Sequence, residues 1–98
     1  MAEATATREG ETLRICGELD FDSVAELCET ACLLFQATPI HRIDLSGVQR
    51  SNSAGVALLV EWLSQARRRQ WPLTFVNIPP QMRAIIEVAE LDTVLLLD

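Results

Sequence analysis

The sequence predicts an α/β domain with a mixed, mostly parallel sheet of four or five strands packed by helices. Two observations carry the prediction. Short segments with a two-residue apolar period alternate along the chain with longer segments of 3.6-residue period. The links between successive strands are also long enough to hold a helix, as parallel pairing requires. Ninety-eight residues make one small domain around a single core, taken as residues 1–98.

Residues 4–8 form a short edge strand, and Glu9, Gly10 and Glu11 turn it into the first full strand, Thr12–Leu19. There Leu13, Ile15, Gly17 and Leu19 alternate with Arg14, Cys16 and Glu18, which buries one face, and Gly17 marks a bulge or a close backbone approach. A helix follows, capped by Ser23 with Glu26 in a capping box, or else by Asp22, with Phe21 stapling the entry. Its buried stripe is Val24, Leu27, Cys28, Ala31, Leu34 and Phe35, and it ends before Thr38 because Pro39 resists a preceding helical residue.

Residues 43–48 form the central strand. The polar cluster Ser51, Asn52, Ser53, Ala54 and Gly55 then opens a second helix, for which Ser53 is the expected N-cap. Val56, Leu59, Val60 and Leu63 lie on one stripe of that helix, as packing on a sheet demands. Leu58 and Trp62 lie on the opposite side with Ala54 and Gly55, rimmed by Glu61, Gln65 and Arg68. A second apolar face needs a cover, and a partner protein is the expected one. Gln70, Trp71 and Pro72 break the chain before a strand at residues 73–78, with Trp71 as a lid over the core edge. Pro79 and Pro80 set up a last helix on Met82, Ile85, Ile86 and Ala89. Residues 91–97 make a connector and a short strand or docked tail.

Composition narrows the function. The net charge is −6 and all eight basic residues are arginine, which argues against a nucleic-acid or anionic-membrane surface. The Arg67, Arg68 and Arg69 cluster complements the negative end of its helix. No apolar run approaches the roughly 20 residues that cross a bilayer, and the N-terminus does not read as a signal peptide, so a cytoplasmic location without membrane insertion is expected. Cys16, Cys28 and Cys32 are odd in number and lack a Cys-x-x-Cys pair; they read as reduced, buried thiols, and no metal site is expected.

A serine at a strand-to-helix turn invites a nucleophile reading, but its surroundings argue against one. The Gly-x-Ser-x-Gly elbow is missing. His41, the single histidine, sits at the other end of the central strand, roughly 20 Å from Ser53. There is no lysine to act as base and no glycine-rich phosphate loop. Asp20 and Asp44, expected near the strand ends, read as capping and turn residues. Neither catalysis nor a cofactor is expected.

Gly17-Glu18-Leu19-Asp20 before the first helix, Ile43-Asp44-Leu45-Ser46 in the central strand, and Ser53-Ala54-Gly55 opening the second helix together resemble a STAS domain. That fold is shared by anti-sigma factor antagonists and by certain transporter subunits. In the antagonists the motif is Asp-Ser-Ser/Ala-Gly, and its serine is phosphorylated by a partner kinase. Ser53 matches the serine, while Asn52 stands in place of the aspartate.

The run from Ser53 to Leu63, the arginine-rich helix end and the segment Val76-Asn77-Ile78-Pro79-Pro80-Gln81 look more like a second branch. This is the small cytoplasmic STAS subunit of the Mla phospholipid transporter of the Gram-negative envelope, which binds the ABC ATPase and supports its assembly and activity. The resemblance implies a non-enzymatic binding module peripheral to the inner membrane. It would dock on an ABC transporter ATPase subunit through Ser53, Ala54, Gly55, Leu58 and Trp62. The alternative it implies is an anti-sigma factor antagonist, partnered by an anti-sigma factor kinase and phosphorylated at Ser53.

Overall fold

The computed structural model describes residues 4–37, 39–91 and 95. The chain runs β1 (Thr5–Glu9), β2 (Thr12–Leu19), α1 (Phe21–Ala37), β3 (Arg42–Ser51), α2 (Ser53–Arg68), β4 (Thr74–Val76) and α3 (Pro80–Val88). One four-stranded sheet in the order β1-β2-β3-β4 carries everything else. β1 is antiparallel to β2 across a two-residue turn whose first residue, Gly10, has φ 62°, a geometry a side chain would strain. The pairs β2·β3 and β3·β4 are parallel.

Both parallel links step across the sheet in the same direction, and crossovers of one hand then leave their helices on one face. Accordingly α1 touches α2, and α2 touches α3. The uncovered face keeps the polar half of each strand: Thr7, Arg14 and Asp44 stand in one cross-strand row, and Glu9, Thr12, Arg42 and Thr74 in the next.

The alternation of Leu13, Ile15 and Leu19 in β2 holds as expected, and all three are buried. In β3 the buried residues are Ile43, Leu45, Val48 and Ser51, because the register with β2 shifts between Arg14 and Cys16 and again between Gly17 and Glu18. These are bulges, with Gly17 at φ 102° beside the second. They also let the central strand run on to Ser51, beyond the expected residues 43–48. β4 is shorter than expected, since Asn77 turns out of the strand at φ 57°.

The second apolar side of α2 has an internal explanation. As the middle of three helices lying on the sheet, α2 is covered on three sides. Its buried residues are Ala54, Gly55, Val56, Leu58, Leu59, Trp62, Leu63 and Ala66. Leu58 is 2% and Trp62 1% exposed, so the expected partner-facing patch is part of the core. Trp71 packs against the core edge, as expected of a lid. In the last segment Leu95 is buried, and its N–H bonds the Leu91 carbonyl at 2.9 Å. The expected strand at the other positions of that segment, and the side chains of Ala31, Cys32, Leu34 and Phe35 in the α1 stripe, lie outside what is described. Cys16 and Cys28 are half-buried rather than buried.

Candidate functional site

At the C-terminal ends of β2 and β3 the chain leaves twice for a helix. Leu19 pairs with Ser51, and the Asn52 N–H donates to the Leu19 carbonyl at 3.1 Å, so the starts of α1 and α2 lie side by side. Asp20 closes the first helix: its Oδ1 accepts from the Ser23 N–H at 2.8 Å, and its own N–H donates to Ser23 Oγ at 2.9 Å. The box expected on Ser23 and Glu26, or a cap at Asp22, is thus displaced to Asp20 with Ser23, because the Asp20 carboxylate is the acceptor that reaches the first-turn N–H. The Ser23 N–H is the main cause holding the Asp20 pKa below its ordinary value. Burial opposes it, and the Ser23 hydroxyl and Asp22 N–H add to it. Asp20 is therefore charged at neutral pH.

Asn52, not Ser53, caps α2. Its Oδ1 accepts from the Ala54 N–H at 2.8 Å, and its backbone is extended at φ −104° and ψ −166°. β3 continues through Ser51, so Asn52 is the residue with the extended backbone a cap needs. Ser53 becomes the first helical residue and is exposed.

Beneath it Ser51 is buried. Its N–H donates to Gln81 Oε1 at 3.2 Å and its hydroxyl to the Asn52 carbonyl at 3.0 Å, which ties the end of β3 to the first turn of α3. Gly55 sits against this knot: a methyl group there would run into Ser51 Oγ and come within 3.0 Å of Leu19 Cβ. The glycine is what lets the α2 start approach both strands.

Of the five residues expected to bind a partner, Ser53 is exposed, whereas Ala54, Gly55, Leu58 and Trp62 are buried. The solvent side of α2 is instead a stripe of Ser53, Ala57, Glu61, Ser64 and Arg68, with Glu61 bridged to Gln65 at 3.2 Å and to Arg68 at 3.7 Å. Next to the stripe's head lies a shallow hollow of about 270 Å³, lined by Glu18, Asp20, Arg50, Asn52 and Gln81 among others. Phe21, expected to staple the entry of α1, is its first helical residue and is 72% exposed. Sequence reasoning missed it because it placed the cap at Ser23 or Asp22 and so read Phe21 as a staple ahead of the helix, whereas the cap at Asp20 makes it the first helical residue. It missed the Asn52 cap although Asn is as good a capping residue as Ser.

The other candidates stand apart from this place. Asp44 is the third residue of β3, on the open face, rather than at a strand end. It accepts from the Ser46 N–H at 2.9 Å and from Asn77 Nδ2 at 3.1 Å, with Arg14 Nε 3.9 Å away. Burial pushes its pKa up, but these hydrogen bonds and the Arg14 charge outweigh that and lower it. It serves as the turn-fastening group that residue type suggested. His41 pairs with Glu11 at 3.2 Å before β3 begins, so the whole ten-residue strand, roughly 30 Å, separates it from Ser53. Among the described residues no three His, Cys, Asp or Glu gather to hold a metal ion, and no helix is long and apolar enough to cross a membrane.

A family model described as "Mlab, STAS domain" matches residues 2–98. This chain belongs to the STAS domain family, in its MlaB-like branch. Two solved STAS folds resemble it. The unphosphorylated anti-sigma factor antagonist SpoIIAA superposes with a TM-score of 0.70 at 18% identity, covering 95% of this chain and 84% of that one. An anti-sigma factor antagonist from Mycobacterium paratuberculosis gives 0.72 at 19% identity, covering 96% and 82%. Comparison with proteins of curated function gives no match. The expected fold, a mixed and mostly parallel STAS sheet packed by helices, is the one observed, with four strands and three helices.

Proposed function

We propose that this chain is a non-enzymatic STAS subunit that binds and supports the ATPase subunit of an ABC-type phospholipid transporter, acting in outer-membrane lipid asymmetry from the cytoplasmic side of the inner membrane. The observation that carries this reading is the MlaB-type family match over residues 2–98. The surface it uses is the exposed stripe of α2 headed by Ser53. The side chains at Ser53, Ala57 and Ser64 are small, so a partner's backbone can come close, and no lipid has to be held here. The test is capture of the purified ATPase subunit by this chain. Ser53→Asp keeps a residue type that the helix start favours but buries a charge in the contact, so capture should weaken by about tenfold or more, whereas Ser53→Gly should bind nearly as wild type. A wild-type chain that does not capture the ATPase, or a fully competent Ser53→Asp, rejects the reading.

A second reading, a phosphorylation-controlled anti-sigma factor antagonist, is favoured by one observation: Ser53 is exposed at the helix start, where a kinase can reach it. Phosphate there would add roughly −1.5 to −2 charge at the positive end of the helix dipole. Intact mass from cells separates the two. A phosphate on Ser53 that governs release from an anti-sigma factor kinase supports the antagonist, and an unmodified Ser53 in a stable ATPase complex supports the transporter subunit.

A further inference from the structure

Phe21 and Val88 are the large apolar side chains left most exposed among the described residues, at 72% and 87%. Val88 ends α3, away from the site. Phe21 begins α1, two residues past Leu19, just as Ser53 stands two residues past Ser51, and Leu19 and Ser51 are cross-strand partners. The two helix starts are therefore neighbours at the spacing of packed helices, roughly 10 Å. Phe21 is also flanked by acid. Asp20 and Asp22 on either side are exposed, Glu18 is half-buried, and Arg50 is the cation in the same hollow. An aromatic ring held out in water between two carboxylates suits neither a nucleic acid nor an anionic bilayer. A second copy would set the same net-negative face against itself.

We infer that Phe21 is the apolar anchor of the docking face headed by Ser53, and that it seats in an apolar socket rimmed by arginine or lysine on the partner protein. Asp20 is well suited to meet such a rim, since the Ser23 N–H holds it in one place as a carboxylate. A buried aromatic surrounded by a polar rim is the usual form of an interface hot spot. This rests on the proposed docking at the α2 start, and the experiment keeps the two apart.

The full chain and the variants Phe21→Ala, Asp22→Asn and Ser53→Asp are titrated against the purified ATPase subunit at low and high salt, with the thermal transition of each free protein recorded. Phe21→Ala should leave the transition in place, because the ring buries little in the free chain, and should weaken binding by about tenfold or more. Asp22→Asn spares the Asp20 cap, and should weaken binding by about two- to fivefold at low salt and less at high salt. Wild-type affinity in Phe21→Ala with loss of binding in Ser53→Asp overturns the anchor and leaves the docking face standing. Salt-independent, unchanged binding in Asp22→Asn overturns the basic rim. Absence of binding by the wild-type chain overturns both the anchor and the docking reading.

Discussion

The starts of α1 and α2 and the ends of α2 and α3 are fastened in different ways. At the starts the work is done by side chains: Asp20 with Ser23 on one helix and Asn52 on the other, above a glycine that only a hydrogen can replace without a clash. At the ends it is done by the backbone. The Trp71 N–H reaches the Ala66 carbonyl at 2.8 Å and the Gln70 N–H that of Arg67 at 3.1 Å; Leu91 and Glu90 repeat the pattern on Ile86 at 2.9 Å and Glu87 at 3.0 Å. Both are Schellman closures, and the left-handed residue is Gln70 or Glu90, each at φ 59°, where glycine is usual. At the second end of α2 the Arg69 guanidinium also lies 5.4 Å from the Trp71 ring centre. The pole that carries the candidate site is thus specified by residue identity, while the opposite pole needs only a backbone shape and accepts a side chain that resists it.

The largest break in that contrast should come at Gly55. Gly55→Ala gains helix propensity but forces Ser51 and Leu19 apart, so a net loss of about 2 kcal/mol is expected, a fall of roughly 10 °C in the thermal transition. Adding Ser51→Ala removes the clashing hydroxyl and should restore part of the loss; a double variant no better than the sum of the two single ones would show that the close approach is not at Ser51. A smaller effect separates the two cap candidates. Asn52→Ala should cost about 1 kcal/mol in urea unfolding, and Ser53→Ala less than about 0.5 kcal/mol; the reverse order would return the cap to Ser53. The smallest effect has the opposite sign. Gln70→Gly or Glu90→Gly relieves a left-handed backbone and should each raise stability by roughly 0.5 kcal/mol, and a loss instead would show that those side chains hold the ends.

The order of elements was legible because each has its own local signal: alternation in β2, a 3.6-residue stripe in α1 and α3, proline before α3. What the sequence did not disclose is non-local. The apolar positions Leu58 and Trp62 have the same pattern whether α1 and α3 cover them or a partner does, and only the shared side of the two crossovers decides. The cap moved by one residue because Asn52 and Ser53 are both good capping types and the choice depends on how far β3 runs. β3 itself was read short because the bulges interrupt its alternation. Phe21 read as apolar cover for the helix entry, and its exposure shows only where the chain passes the end of the sheet.

The bulges have a consequence for the tolerance of this chain to length changes. β2 spans the sheet from Thr12 to Leu19 in eight residues, and β3 spans the same distance from Arg42 to Ser51 in ten. The surplus is two, an even number, so Ile43 and Ser51 both point inward as they would in a strand with no surplus, and only Val48 between them is out of step. Removing a single residue from this stretch would make the surplus odd. Ser51 would then turn outward, its hold on Gln81 would be lost, and Ser53 would swing to another side of the molecule. Removing two would preserve the parity of the strand, and with it the aim of the helix that follows.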